Sequence, residues 1–206
     1  MKVKFFDLFF SNFENPLTTV GAEVTYTQFL FTYAQRTLGL SRDMCTLMNT
    51  VFWICFCLFR LLATFITRIL SPRLMITANL TACITASILL YIAVHPVLVW
   101  ISVGLFGAGL ASTYPTTFSY AQKFVTITGK FASRFAIGGA IGWMTVPTIT
   151  LYFFERHCRS MPLIVLISLL FNVCLMIMMN LKGKSIINQR AMSKVKDNKE
   201  DEVMLE

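Results

Sequence analysis

Gly104-Leu105-Phe106-Gly107-Ala108-Gly109-Leu110-Ala111-Ser112-Thr113-Tyr114-Pro115-Thr116-Thr117-Phe118-Ser119 combines a ladder of small residues with a proline and a patch of hydroxyls. It lies inside a charge-free run over residues 74–122. In a water-soluble core this mixture would be wasteful, whereas in a bilayer each part has a use. Gly104, Ala108 and Ser112 recur every four residues, so they share a helix face on which a neighbouring backbone can come close. Pro115 removes one intrahelical hydrogen bond, and the carbonyl it frees needs a hydroxyl, a water or another helix as partner. A bend is therefore expected here, read either as a flexible joint beside a cavity or as an ordinary packing kink.

Outward from this stretch the chain keeps the same character. A hydrocarbon core of ~30 Å takes about 20 apolar residues per helix, so residues 74–122 hold two spans, with His95-Pro96 as the turn between them. Of 206 residues, 56% are hydrophobic and 14% are charged, against roughly a quarter charged in soluble domains. The fold class is therefore all-α, a polytopic membrane helix bundle. The net charge of +8 does not point to nucleic acid, because the basic residues sit at span ends and in the tail rather than in a patch with aromatics.

Six transmembrane helices are predicted, over residues 16–35, 43–67, 74–94, 96–122, 135–154 and 161–181. The first is the most polar, diluted by Glu23 and several threonines. Residues 1–15 form a cytoplasmic N-terminal segment, 16–181 the transmembrane domain, and 182–206 a charged, disordered cytoplasmic tail. Lys2, Lys4, Arg68, Arg73, Lys123, Lys130, Arg134 and the basic tail fall on one side of the membrane. Arg36, Arg42, Arg156 and Arg159 fall on the other. The richer side should be cytoplasmic, which with an even number of spans places both termini there.

Cys45, Cys55, Cys57, Cys83, Cys158 and Cys174 lack zinc or redox spacing and read as small core residues. Asn79-Leu80-Thr81 matches a glycosylation sequon but lies mid-span, a chance match. Lys2-Val3-Lys4 precedes an apolar stretch broken by Asp7, without the small-residue site of a cleavable signal. No Ser/His pair, paired acids or metal-ligand cluster occurs at workable spacing in the spans, so no catalytic residue, metal site or organic cofactor is expected.

Val20-Gly21-Ala22-Glu23, Arg60 ahead of Ser71-Pro72-Arg73, the segment around Tyr114-Pro115-Thr116, and Gly138-Gly139 follow one another in an order that resembles the C-terminal half of a major facilitator superfamily sugar transporter, in its fucose-permease-like branch. The resemblance covers roughly residues 20–181 and implies half of a twelve-helix fold. The stretch before residue 17 departs from it, as do Phe59 and Ala63, which stand where the family often has glycine. A complete transporter of this type has two six-helix halves with the substrate between them. The chain therefore reads as a fragment or truncated isoform, whose complete form carries glucose or a related hexose with Na+ or H+ as coupling ion, most naturally in the plasma membrane.

Within that frame Glu23, the acid well inside a span, is the candidate for cation coupling; a structural hydrogen bond or a place near the interface is the other reading. Arg60 matches the family's arginine at the cytoplasmic end of its helix and would brace a gate, or simply snorkel. Sugar recognition uses amides for hydroxyls and aromatic faces for the C–H side of the ring, and Gln28, Asn49, Tyr114 and Trp143 supply those types, each equally able to be packing residues. Residues 112–117, with Ser112 and Pro115, lie at the same expected depth as Gly138, Gly139 and Gly142. Close packing between those two segments would make a cytoplasmic gate. The partners implied are the lipid bilayer, a small-molecule sugar, and a second six-helix half or another copy. A non-transporting membrane subunit that pairs with itself or with a full-length relative is the alternative function.

Overall fold

The computed structural model describes residues 2–121 and 129–203, with side chains described over 16–120, 129–130 and 132–181. Seven helices follow in order: α1 (Lys2–Leu38), α2 (Arg42–Ile66), α3 (Pro72–Ile92), α4 (Pro96–Ala111), α5 (Thr113–Ala121), α6 (Gly129–Phe154) and α7 (Ser160–Val203).

Their ends are set by local chemistry. Gly39 takes φ +63°, the left-handed conformation that closes α1. The Ser41 hydroxyl then accepts from the Met44 N–H at 3.4 Å and caps α2. Ser71 does the same for α3 through Leu74 N–H at 3.5 Å, with Pro72 in the first turn, where a missing N–H costs nothing. His95 and Pro96 repeat the arrangement at α4, the His95 Nδ1 accepting from Val97 N–H at 3.4 Å. The turn expected at His95-Pro96 is thus present.

Five stretches are long and apolar enough to cross a membrane: Arg42–Ile66, Pro72–Ile92, Pro96–Tyr120, Ala132–Phe154 and Ser160–Leu181. The third contains both α4 and α5. α1 falls outside this set because Glu23 and its threonines dilute it, yet it packs along α6 and α7 and also meets α2, α4 and α5. It is the helix around which the others gather, and an amphipathic interior explains its polarity. Two elements run further than the sequence pattern predicts: α1 begins at Lys2 and carries Pro16 inside it, and α7 continues in helical form to Val203.

Packing proceeds from α2 to α4, from α4 to α3, and from α3 to α7, with α1 closing the arrangement and α6 lying on its far side. Tyr26 of α1 stacks on Phe106 of α4 with ring centroids 3.8 Å apart, and Phe52 of α2 lies 5.8 Å from Tyr26. Between lipid-soluble helices there is little hydrophobic drive to associate, so close backbone approach and interhelical hydrogen bonds must hold them. Both occur. Tyr26 Oη and Ser102 Oγ lie 3.1 Å apart, Ser102 donates on to the Ala86 carbonyl at 2.8 Å, and Tyr33 donates to the Leu90 carbonyl at 2.8 Å. Two tyrosines of α1 thereby tie it to α3 and α4. α2 is the least enclosed of the five spans, 17% buried, and presents Trp53, Ile54, Leu58 and Leu61 outward.

Candidate functional site

The helix break in the deciding stretch falls at Ser112, three residues before Pro115. α4 ends at Ala111, Ser112 adopts φ −110° and ψ 0°, and α5 restarts at Thr113. The displacement has a simple cause: a proline ring collides with the carbonyl four residues earlier, here Ala111, and removes the donor that carbonyl would have had. Hydroxyls take up backbone groups around the break, Thr113 Oγ1 donating to the Gly109 carbonyl at 2.8 Å. Ser112 Oγ accepts from Asn79 Nδ2 of α3 at 2.8 Å, so the joint is fastened to its neighbour.

The small-residue ladder brings backbones together, in a different register from the expected one. A Cβ on Gly107 would lie 2.8 Å from the Phe52 carbonyl of α2, and one on Gly109 would lie 2.9 Å from the Asn79 carbonyl of α3, whereas Gly104 has only an ordinary contact with Cys55 at 3.8 Å. The tight contacts face two helices rather than one, because α4 is wedged between α2 and α3.

The gate geometry also differs from the expectation. Gly138, Gly139 and Gly142 are buried, and the close approaches at Gly139 and Gly142 are to α1, with α5 reaching Gly139 only through the Tyr114 ring at 4.0 Å from a Cβ there. A Cβ on Gly142 would collide with the Leu17 backbone, and one on Gly139 would come 3.4 Å from Val20. Among the described residues the α5 and α6 backbones do not meet. They communicate through rings: Tyr114 and Phe118 of α5 lie 4.9 and 5.2 Å from Phe135 of α6. Small residues announce that a backbone will approach; they do not say whose.

Glu23 is half-buried on α1, its carbonyl accepting from Thr27 Oγ1 at 3.1 Å. The guanidinium of Arg60 on α2 is the opposite charge whose field reaches it. Arg60 itself is exposed and stacks over Phe56 at 5.5 Å. Gln28 is exposed, about 140° around α1 from Glu23 at 100° per residue, so the two flank the less covered side of the helix that carries Val20, Val24 and Phe31. Asn49 is half-buried, with a buried Oδ1 that has no partner among the described residues. Tyr114 is half-buried at the aromatic contact with α6, Pro115 is exposed, and Trp143 is 55% exposed. Gln28, Asn49 and Trp143 are thus polar or amphipathic groups with capacity to spare, carried on three different helices, α1, α2 and α6.

Sequence reasoning missed the polar cross-links. Asn172 of α7, 2% exposed, donates to both Thr18 Oγ1 and Thr19 Oγ1 of α1, at 2.9 and 2.6 Å. Arg73, Tyr120 and Asn180 join α3, α5 and α7. A signal existed: an amide alone in an apolar span faces the bundle interior as a rule, and Asn79, set aside as a chance sequon, obeys the same rule. No group of three or more His, Cys, Asp or Glu among the described residues could hold a metal ion.

Comparison with known proteins fits this architecture. The chain is 32% identical over 146 residues to sodium-dependent glucose transporter 1A of Mus musculus, covering 70% of this chain and 34% of that protein. It is 34% identical over 131 residues to sodium-dependent glucose transporter 1 of Homo sapiens, covering 63% and 25%. With the Danio rerio protein of the same name it shares 32% over 152 residues, 73% and 25%. The chain thus matches between a quarter and a third of the length of these relatives. The sequence profile of the Major Facilitator Superfamily matches residues 8–147, and the chain, an integral multi-pass membrane protein, belongs to that family of transporters.

Proposed function

We propose that this chain supplies one wall of a transport path for glucose or a related hexose, working together with a second six-helix unit, with Na+ or H+ as the coupling ion. The observation that carries the reading is the similarity to proteins named sodium-dependent glucose transporters over 146 residues. It is supported by unsatisfied polar groups inside the spans, the Asn49 Oδ1 above all. A facilitator site lies between two halves near the midplane, so one half offers part of a wall and its polar groups wait for the other. Gln28 and Asn49 would bind sugar hydroxyls, and Trp143 and Tyr114 would cover the apolar ring face. Glu23 would bind the coupling cation, its charge balanced by Arg60 when the cation is absent. The plasma membrane, with both termini cytoplasmic, is the location this reading assigns.

The test is hexose uptake by this chain co-reconstituted with the N-terminal half of a related transporter. Glu23→Gln should abolish stimulation by Na+ or by a proton gradient while leaving counterflow exchange of hexose within about threefold, since a neutral amide keeps hydrogen bonding but cannot bind a cation as a carboxylate does. Stimulation that survives the substitution would remove Glu23 from the coupling role.

A further inference from the structure

The nine residues of α5, Thr113–Ala121, are held differently from every other helix. Their backbone rests on α3, α1 and the end of α4, and among the described residues it does not meet α6 or α7. Beside the ring contacts of Tyr114 and Phe118 with Phe135 of α6, a pair of polar anchors binds the segment laterally at its two ends. At the break, Asn79 donates to Ser112. At the other end, Arg73 Nε of α3 donates to Tyr120 Oη at 2.8 Å, and Tyr120 donates in turn to Asn180 Oδ1 of α7 at 3.0 Å. The Arg73 guanidinium also lies over the Tyr120 ring, 5.6 Å from its centroid, and the ring is fully buried. Bonded to a cation on one side and an amide on the other, the phenol orients in one direction only, accepting from Arg73 and donating to Asn180.

We propose that Arg73, Tyr120 and Asn180 form a latch that holds α5 against α3 and α7, and that its release lets α5 swing about the break at Ser112. The segment from Ser112 to Tyr120 is roughly 12 Å long at 1.5 Å per residue, so a modest rotation at the break moves its far end by several ångströms. The Thr113, Thr116 and Thr117 side chains, all buried, would then open to water. Asn79–Ser112 stays closed in this motion because it sits at the pivot. Single interhelical hydrogen bonds in bilayers shift an equilibrium by a factor of roughly three to fifteen, weak enough for release and strong enough for two together to bias the closed position. These are positioning residues: none needs to touch a transported molecule. The proposal deepens the transport reading by naming what keeps one end of the wall shut, but its test does not depend on what is carried.

The experiment uses the full chain in liposomes with Thr117→Cys as reporter, and measures the rate of N-ethylmaleimide addition at position 117 by peptide mass spectrometry, without any substrate. Tyr120→Phe keeps the buried ring and removes both hydrogen bonds; it should raise the labelling rate about five- to tenfold. Asn180→Asp retains an oxygen that accepts from Tyr120 and should stay within about twofold of the parent. Tyr33→Phe, which deletes an equally buried tyrosine bond to the Leu90 carbonyl, should also stay within about twofold, since it loosens the bundle away from α5. An unchanged rate in Tyr120→Phe, or an equal rise in Tyr33→Phe, would overturn the latch.

Discussion

Gly142 and Asn172 show how single residues fasten this bundle in the absence of a hydrophobic drive between helices. At Gly142 the α6 backbone lies directly on that of α1 at Leu17, and any side chain must push the two apart. Gly142→Ala should destabilise the folded bundle by about 1–3 kcal/mol, the usual range for an overpacked site that can shift only by moving backbone. Thermal unfolding in detergent, followed by a thiol-reactive dye at the buried Cys83 and Cys45, would check it; a transition unmoved by the substitution would mean the contact is loose. Asn172 binds two threonine hydroxyls. After Asn172→Ala those hydroxyls can turn to carbonyls of their own helix, as most threonines in this chain already do, so the expected loss is only about 1 kcal/mol. A loss above about 3 kcal/mol would show that they cannot turn.

The joint between α4 and α5 carries the clearest prediction at the level of elements. In an assembly containing both halves, Pro115→Ala restores a backbone donor near the break and should slow exchange between inward- and outward-facing states by about tenfold, with little change in substrate affinity, because proline itself offers no donor to a ligand. Exchange would be read by hexose counterflow and affinity by equilibrium binding. A large loss of affinity at unchanged exchange rate would contradict the hinge. This region also marks what the sequence could and could not reveal. The bend was legible from Pro115, because proline chemistry is local. Its position at Ser112, the register of the tight glycines, and the attachment of Gly139 and Gly142 to α1 were not, since a small-residue face is a local pattern whose partner depends on the whole packing. The turn between α3 and α4 was legible from His95-Pro96 for the same reason that the bend was. The latch residues Tyr120 and Asn180 were not, as nothing near them in the chain hints that α3 and α7 converge there.

At the scale of the molecule, five apolar spans and a more polar α1 that they gather around make a six-helix bundle. The excess of Lys and Arg on one side predicts that both termini face the cytoplasm. Cysteine labelling at position 193 in the tail should therefore fail with an impermeant reagent applied outside intact cells, and labelling there would reverse the orientation. The claim on which everything else depends is that the polar groups of α1, α2 and α6 complete a path only across from a second six-helix unit. The most direct measurement is uptake of labelled hexose by the purified chain in liposomes, with its oligomeric state determined in the same preparation, alone and with the N-terminal half of a related transporter. The account predicts uptake at the level of empty liposomes for the chain alone as a monomer, and uptake above it when the second half is present. Robust uptake by the demonstrated monomer would contradict it.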